Sequence, residues 1–135
     1  MWIHLALLSA ILVLAPTEGA CAPADRWREQ FDAGVRVYNA GDLESARARW
    51  EAALPLAEAL GRTSSEHMQT LHWLANLEES AGNLAKAETH LRKAVEVLQD
   101  STGADRLTLV SVRISLATFL ERHGRPDEAE TILKD

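Results

Sequence analysis

Apolar side chains along this chain recur at the three- and four-residue spacing of a helix, and no segment alternates as a half-buried strand would. Ala46, Trp50, Ala53 and Leu54 form one such stripe; Leu84, Ala87, Leu91, Ala94, Val95 and Leu98 form another. Read with their start and stop residues, these patterns predict six helices. The first runs from Arg26 to Asn39 with Asp25 as its cap, and the second begins at Leu43 behind Asp42 and stops at Gly61. Pro55 lies inside the second, where it deletes a hydrogen bond and costs about 3 kcal/mol if the helix continues unaltered. A kink near Glu51–Pro55, or an early end and a restart, is therefore expected. Thr63 and Glu66 have capping-box spacing, so a third helix should begin near Ser64 and reach Ser80. Asn83 caps the fourth and Gly103 punctuates it. A fifth runs from about Arg106 to His123, and Pro126 opens a sixth with Asp127 and Glu128 at its positive end. The expected fold class is all-α.

The helices come in pairs because one motif occurs three times. It reads Ala33-Gly34, Gly41-Asp42-Leu43 and Ala46, then Leu74-Ala75, Gly82-Asn83-Leu84 and Ala87, then Leu116-Ala117, Gly124-Arg125 and Ala129. The turn glycines are separated by 41 residues (Gly41 to Gly82) and 42 residues (Gly82 to Gly124). A period of this size marks a stacked repeat array, and such arrays build surfaces for partners. Seven residues before each glycine stands a small residue (Gly34, Ala75, Ala117), and five after it an alanine (Ala46, Ala87, Ala129). Nine after it comes a large one, Trp50, Leu91 or Leu133. Small and large residues facing each other fill the space where two helices approach most closely.

The first two dozen residues fall outside the repeat. Ile3 to Ala15 is a run of thirteen residues, apolar except for His4 and Ser9. That is short of the roughly 20 needed to span a bilayer and fits the core of a secretory signal. Pro16 stops it, and Ala22-Pro23-Ala24 before Asp25 offers a cleavage site. The expected organisation is a signal over 1–24 and a helical array over 25–135, with repeats at about 27–61, 64–103 and 105–135. Export to a periplasm or to the exterior follows; the alternative is a membrane anchor through an uncleaved signal or a lipidated Cys21. Glu18 stands three places before Cys21, where lipoprotein signals carry an apolar residue, which weighs against lipidation. Cys21 is the only cysteine, so no intramolecular disulfide forms. Removing residues 1–24 takes away one acidic side chain, leaving 14 basic and 19 acidic, a net of −5. With no basic stripe, nucleic acid is excluded as a partner class.

The motif resembles that of the tetratricopeptide repeat family: the small residue, the glycine seven later, the alanine five beyond and the large residue four further on. The usual period is about 34 residues. The longer period here, with Leu60-Gly61 after the second helix, is similar to the repeats of kinesin light chains and many bacterial relatives. The resemblance covers Trp27 to Asp135. It implies an α-solenoid of about three antiparallel helix pairs whose first helices line a concave groove for a peptide or protein. Carried over by offset, the partner-binding residues would be Phe31, Val35, Tyr38, Asn39, His72, Trp73, Asn76 and Glu79. The third repeat would add Ser111, Ile114, Ser115, Thr118, Glu121 and Arg122. Some family members clamp a chaperone tail with lysine, asparagine and arginine. Phe31, Val35 and Ser111 stand where those donors would be needed, so that ligand is disfavoured.

Nothing in the sequence points to catalysis, a cofactor or a metal. His67 and His72 are five apart rather than four, no HExxH motif occurs, and His90 lies on the next helix. A metal-dependent site would have to be assembled from those three histidines. The sequence reads as an exported, non-enzymatic adaptor. The alternative is a structural subunit of a homo-oligomer or envelope assembly, formed through an uncapped last helix on which Ile132 and Leu133 lie on or near an exposed edge.

Overall fold

The computed structural model describes residues 21–134. Six helices follow one another, α1 (Pro23–Asn39), α2 (Leu43–Leu60), α3 (Ser65–Ser80), α4 (Leu84–Gln99), α5 (Arg106–Arg122) and α6 (Pro126–Lys134), with no strand among the described residues. Most of the expected signal, residues 1–20, and the terminal Asp135 lie outside the described residues. Cys21 is exposed, and the chain enters α1 two residues later. No described helix is long and apolar enough to cross a membrane.

Local chemistry explains each boundary, with three departures in capping from the sequence reading. α1 starts at Pro23, a residue preorganised for a first turn, so Asp25 sits within that turn instead of capping it. Ser64, not Thr63, caps α3 by accepting from the His67 N–H at 3.2 Å. Asn83 occupies the cap position of α4 but makes no capping bond, because its Nδ2 donates to Glu78 at 2.7 Å. α2 passes through Pro55 without ending. Pro55 and Glu51 are both exposed, so water can satisfy the carbonyl that the proline leaves unpaired. Asp42 and Asp105 cap α2 and α5, accepting from Ser45 and from Leu107 and Thr108.

The three intra-repeat turns share one geometry. Gly41, Gly82 and Gly124 have φ of 85°, 80° and 78°. The amide one residue later returns to the helix it leaves: Asp42 to Val37 at 3.0 Å, Asn83 to Glu78 at 2.7 Å and Arg125 to Leu120 at 2.9 Å. This Schellman arrangement needs a left-handed residue, which glycine adopts without strain.

Within each pair the helices pack against each other, and successive pairs stack through α2 on α3 and α4 on α5. The core is continuous across those joins. Trp50, Ala53 and Ala57 of α2 share a cluster with Leu74 and Leu77 of α3, and Leu91 and Val95 of α4 share one with Leu116 and Leu120 of α5. The closest approach lies inside the first pair. A β-carbon added at Gly34 would lie 2.3 Å from Trp50 Nε1, so the glycine is the space the indole occupies. Later pairs exchange this for alanine and leucine. Cα atoms of α1 and α3 come within 8 Å of each other, whereas those of α2 and α4 do not. The first helices of the first two repeats are thus neighbours, whereas α3 and α5 make no such approach.

Candidate functional site

Five aromatic rings from three helices meet where α1, α2 and α3 join. Trp27 stacks on Phe31 at 4.9 Å between centroids, Tyr38 lies 5.5 Å from Trp50, and Trp73 lies 5.2 Å from Trp50. Phe31 and Tyr38 meet the Trp73 ring edge-on at 6.4 and 5.8 Å. Such tilted and edge-on pairs are favoured by the ring quadrupole. Trp27 Nε1 donates to Thr70 at 3.0 Å and Trp50 Nε1 to the Phe31 carbonyl at 3.1 Å. Trp73 differs. Its Nε1 has no hydrogen-bond partner among the described residues, and the residue is only half-buried.

The structure sorts the eight expected binding residues. Phe31, expected in the groove, is 8% exposed and packs with the core, with the Trp73 ring edge-on to it. The apolar ring faces three neighbouring aromatics, which a single helical stripe could not reveal. Val35, Tyr38 and Trp73 are half-buried with one side packed on the core. Tyr38 also reaches Ser80 Oγ at 3.1 Å, tying α1 to α3. Asn39 and His72 are exposed and Asn76 is half-buried. His72 has much open surface, yet its neighbours desolvate the ring enough to hold its pKa below the ordinary 6.5. It is therefore neutral at pH 7, able to donate from one nitrogen and accept at the other. Glu79 is already engaged, accepting from Arg122 at 3.1 Å and lying 2.8 Å from His123 Nε2 on α5. It is a clamp between repeats rather than a free acceptor.

A second engaged carboxylate escaped the sequence reading. Glu78 is 1% exposed and receives Arg47 Nε at 2.8 Å, Arg47 Nη2 at 3.2 Å and Asn83 Nδ2 at 2.7 Å. The Arg47 hydrogen bonds hold its carboxyl below the usual range against the opposing effect of burial. The same offset in the other repeats carries Val37 and Leu120, so periodicity gave no signal for an ion pair there. On α5 the sequence reading found Ile114 but missed Leu107 and Val110, which are also exposed.

The histidines do not assemble a metal site among the described residues. His67 is buried with Nδ1 2.6 Å from the Arg62 carbonyl, His72 is on the surface, and His90 is half-buried with its pKa lowered by desolvation. No group of three potential ligands occurs there.

The tetratricopeptide repeat family model matches residues 66–135, about half the chain, over the second and third helix pairs. The chain belongs to the tetratricopeptide repeat family. Its first helix pair lies outside the matched stretch but repeats the glycine turn and its hydrogen bonds. No curated protein matches the chain. Tetratricopeptide repeats commonly mediate protein–protein interaction, and the family is in general a non-enzymatic scaffold.

Proposed function

We propose that this tetratricopeptide repeat protein is an exported adaptor that holds an extended peptide or protein segment along the inner faces of α1 and α3. The observation that carries this is Trp73: a large aromatic held against three other rings, half-buried, with an indole N–H that has no partner among the described residues. Rigid aromatics of this kind dominate binding energy at interfaces. Asn39 and Asn76 flank it with amides that can donate to and accept from a peptide backbone, and neutral His72 adds a further polar contact. Val35 and Tyr38 supply apolar surface beside the ring.

The test is a crosslinked capture of partners in the native host. Wild type is compared with a His72→Ala, Asn76→Ala variant and with Trp73→Phe, which keeps most of the packing and removes the donor. A partner lost from both variants, with helicity and melting unchanged, supports the groove. Affinity for that partner should fall about 30-fold in Trp73→Phe, a hot-spot loss of roughly 2 kcal/mol. A partner set indifferent to all three substitutions overturns the reading. Export is tested separately by the intact mass of the native protein: a chain beginning near Asp25 outside the cytoplasm supports it, and a full-length cytoplasmic chain overturns it.

A further inference from the structure

The two ends of the stack are chemically unlike. The face of each repeat that meets the next one is recognised by offset from the turn glycine. Fourteen before it stand Trp27 and Met68, both buried by the following pair; the third repeat has Val110, 52% exposed. Nine after it stand Trp50 and Leu91, buried in the same way; the third repeat has Leu133, 51% exposed. Three before it, Tyr38 and Glu79 bond to the next repeat, whereas Glu121 is exposed with no ion-pair partner among the described residues. Ile114, 51% exposed, and Leu107, 76% exposed, adjoin this surface on α5, although the same offsets in the second repeat hold His72 and Ser65, which are exposed there too. The third pair thus keeps an interface surface that nothing in the described chain covers.

The opposite end cannot cover it. The α1 residues that would meet a preceding repeat are Glu29, Asp32 and Arg36, all exposed. The corresponding α3 residues are Thr70, Trp73 and Leu77, and Thr70 and Leu77 are fully buried. Head-to-tail stacking of copies would desolvate three unpaired charges, which is costly. The C-terminal face is complementary to itself. Arg106 lies at the start of α5 and Glu121 near its end, fifteen residues or about 22 Å apart. Arg106 likewise has no ion-pair partner among the described residues. When α5 packs antiparallel on the α5 of a copy, each Arg106 meets the other chain's Glu121, and Ile114 falls near the two-fold axis. The apolar centre is on the order of 400 Å² per copy, a suitable core for an interface of about 800 Å² per partner.

We propose that the protein forms a two-fold dimer through this C-terminal face, α5 against α5 with Leu133 at the flank. The interface is isologous, so assembly stops at two. The face takes over Ile114 and Glu121, which the family offset had assigned to the third repeat's part of the groove; the groove proposed on α1 and α3 uses neither, so either proposal can fail alone.

The experiment is sedimentation of the full chain across a concentration series, with Ile114→Glu, Glu121→Arg, Arg106→Glu and the double charge exchange. Dimerisation is expected in wild type and weakened at least about 30-fold by Ile114→Glu. Each single charge reversal should weaken it, and the double exchange should restore it. A cysteine at position 114, in a Cys21→Ser background, should crosslink to its own copy on oxidation, and one at Asp32 should not. A monomer at every concentration overturns the proposal, as does a dimer indifferent to Ile114→Glu. Loss of some other protein from Ile114→Glu, in a chain that is itself monomeric, would assign the face to that partner and overturn it too.

Discussion

The fit of Gly34 to Trp50 gives the sharpest energetic test of how the array is stacked. Adding one methyl at Gly34 places a carbon 2.3, 2.6 and 2.8 Å from three atoms of a rigid ring. Trp50 is fully buried and bonded to the Phe31 carbonyl, so the ring cannot swing aside. Relief requires a retreat of about 1 Å to reach ordinary contact distance. Overpacking of this kind costs about 3 kcal/mol, offset by about 1 kcal/mol because alanine is the better helix former. Gly34→Ala should therefore lose about 2 kcal/mol, or about 8 °C in Tm for a domain of this size. Trp50→Leu alone should cost about 2 kcal/mol through the cavity it leaves. Together they recreate the alanine–leucine pairing of Ala75 with Leu91, and the methyl then gains about 1 kcal/mol instead of losing 2. The coupling between the sites should be about 3 kcal/mol, measured by a double-mutant cycle in urea. Additive losses, within about 0.5 kcal/mol, would refute the claim that glycine is there to admit the indole.

Two further perturbations probe the charged groups, beside the groove and dimer tests described above. Arg47→Met leaves Glu78 buried with only Asn83 as a partner and should cost about 2–4 kcal/mol in urea titration; adding Glu78→Leu, the residue type found at Leu120, should recover most of it. A loss that persists in the double variant would mean that Arg47 acts through its own packing. Stability should also fall towards acid in two stages, read from thermal melting against pH. His72 and His90 are neutral in the fold, their pKa values lowered by desolvation, so their stage begins as pH drops below the ordinary 6.5. Glu78 and Glu88 have pKa values lowered by arginine hydrogen bonds, so their contribution is complete above the ordinary 4.5 and is lost as pH falls through the lower folded values. Exchanging both histidines for glutamine should remove the upper stage and leave the lower.

The fold was legible because its signals are local. A glycine with φ near 80° has to end each first helix, and alanine and leucine at fixed offsets have to meet across the pair. What the sequence concealed depends on which of three neighbours a side chain meets. Phe31 and Trp73 are both aromatics on first helices, yet one is core and the other half-buried: Trp50 packs against both, and only Phe31 is also stacked on Trp27. Asn83 carries a capping side chain, but folding brings Glu78 nearer than the helix end. Ile132, expected on or near an exposed edge with Leu133, is half-buried against the core of the third pair. Val110 was visible only by asking which offsets the earlier repeats bury, as they do Trp27 and Met68; Leu107 has no buried counterpart, since its offset holds Ala24 and Ser65.

The two joins between repeats are made of different materials, and they should soften under different conditions. The first is closed by aromatic packing, the Trp27–Thr70 bond and the buried Arg47–Glu78 pair. The second carries a lattice of more open ion pairs: Glu79 with Arg122, Glu88 with Arg125 and Glu128 with Arg92. Raising ionic strength screens open pairs and leaves buried ones nearly untouched. The second join keeps its buried apolar seam of Leu91, Val95, Leu116 and Leu120 at any ionic strength, so salt should lower its stability only slightly and leave the first join unchanged.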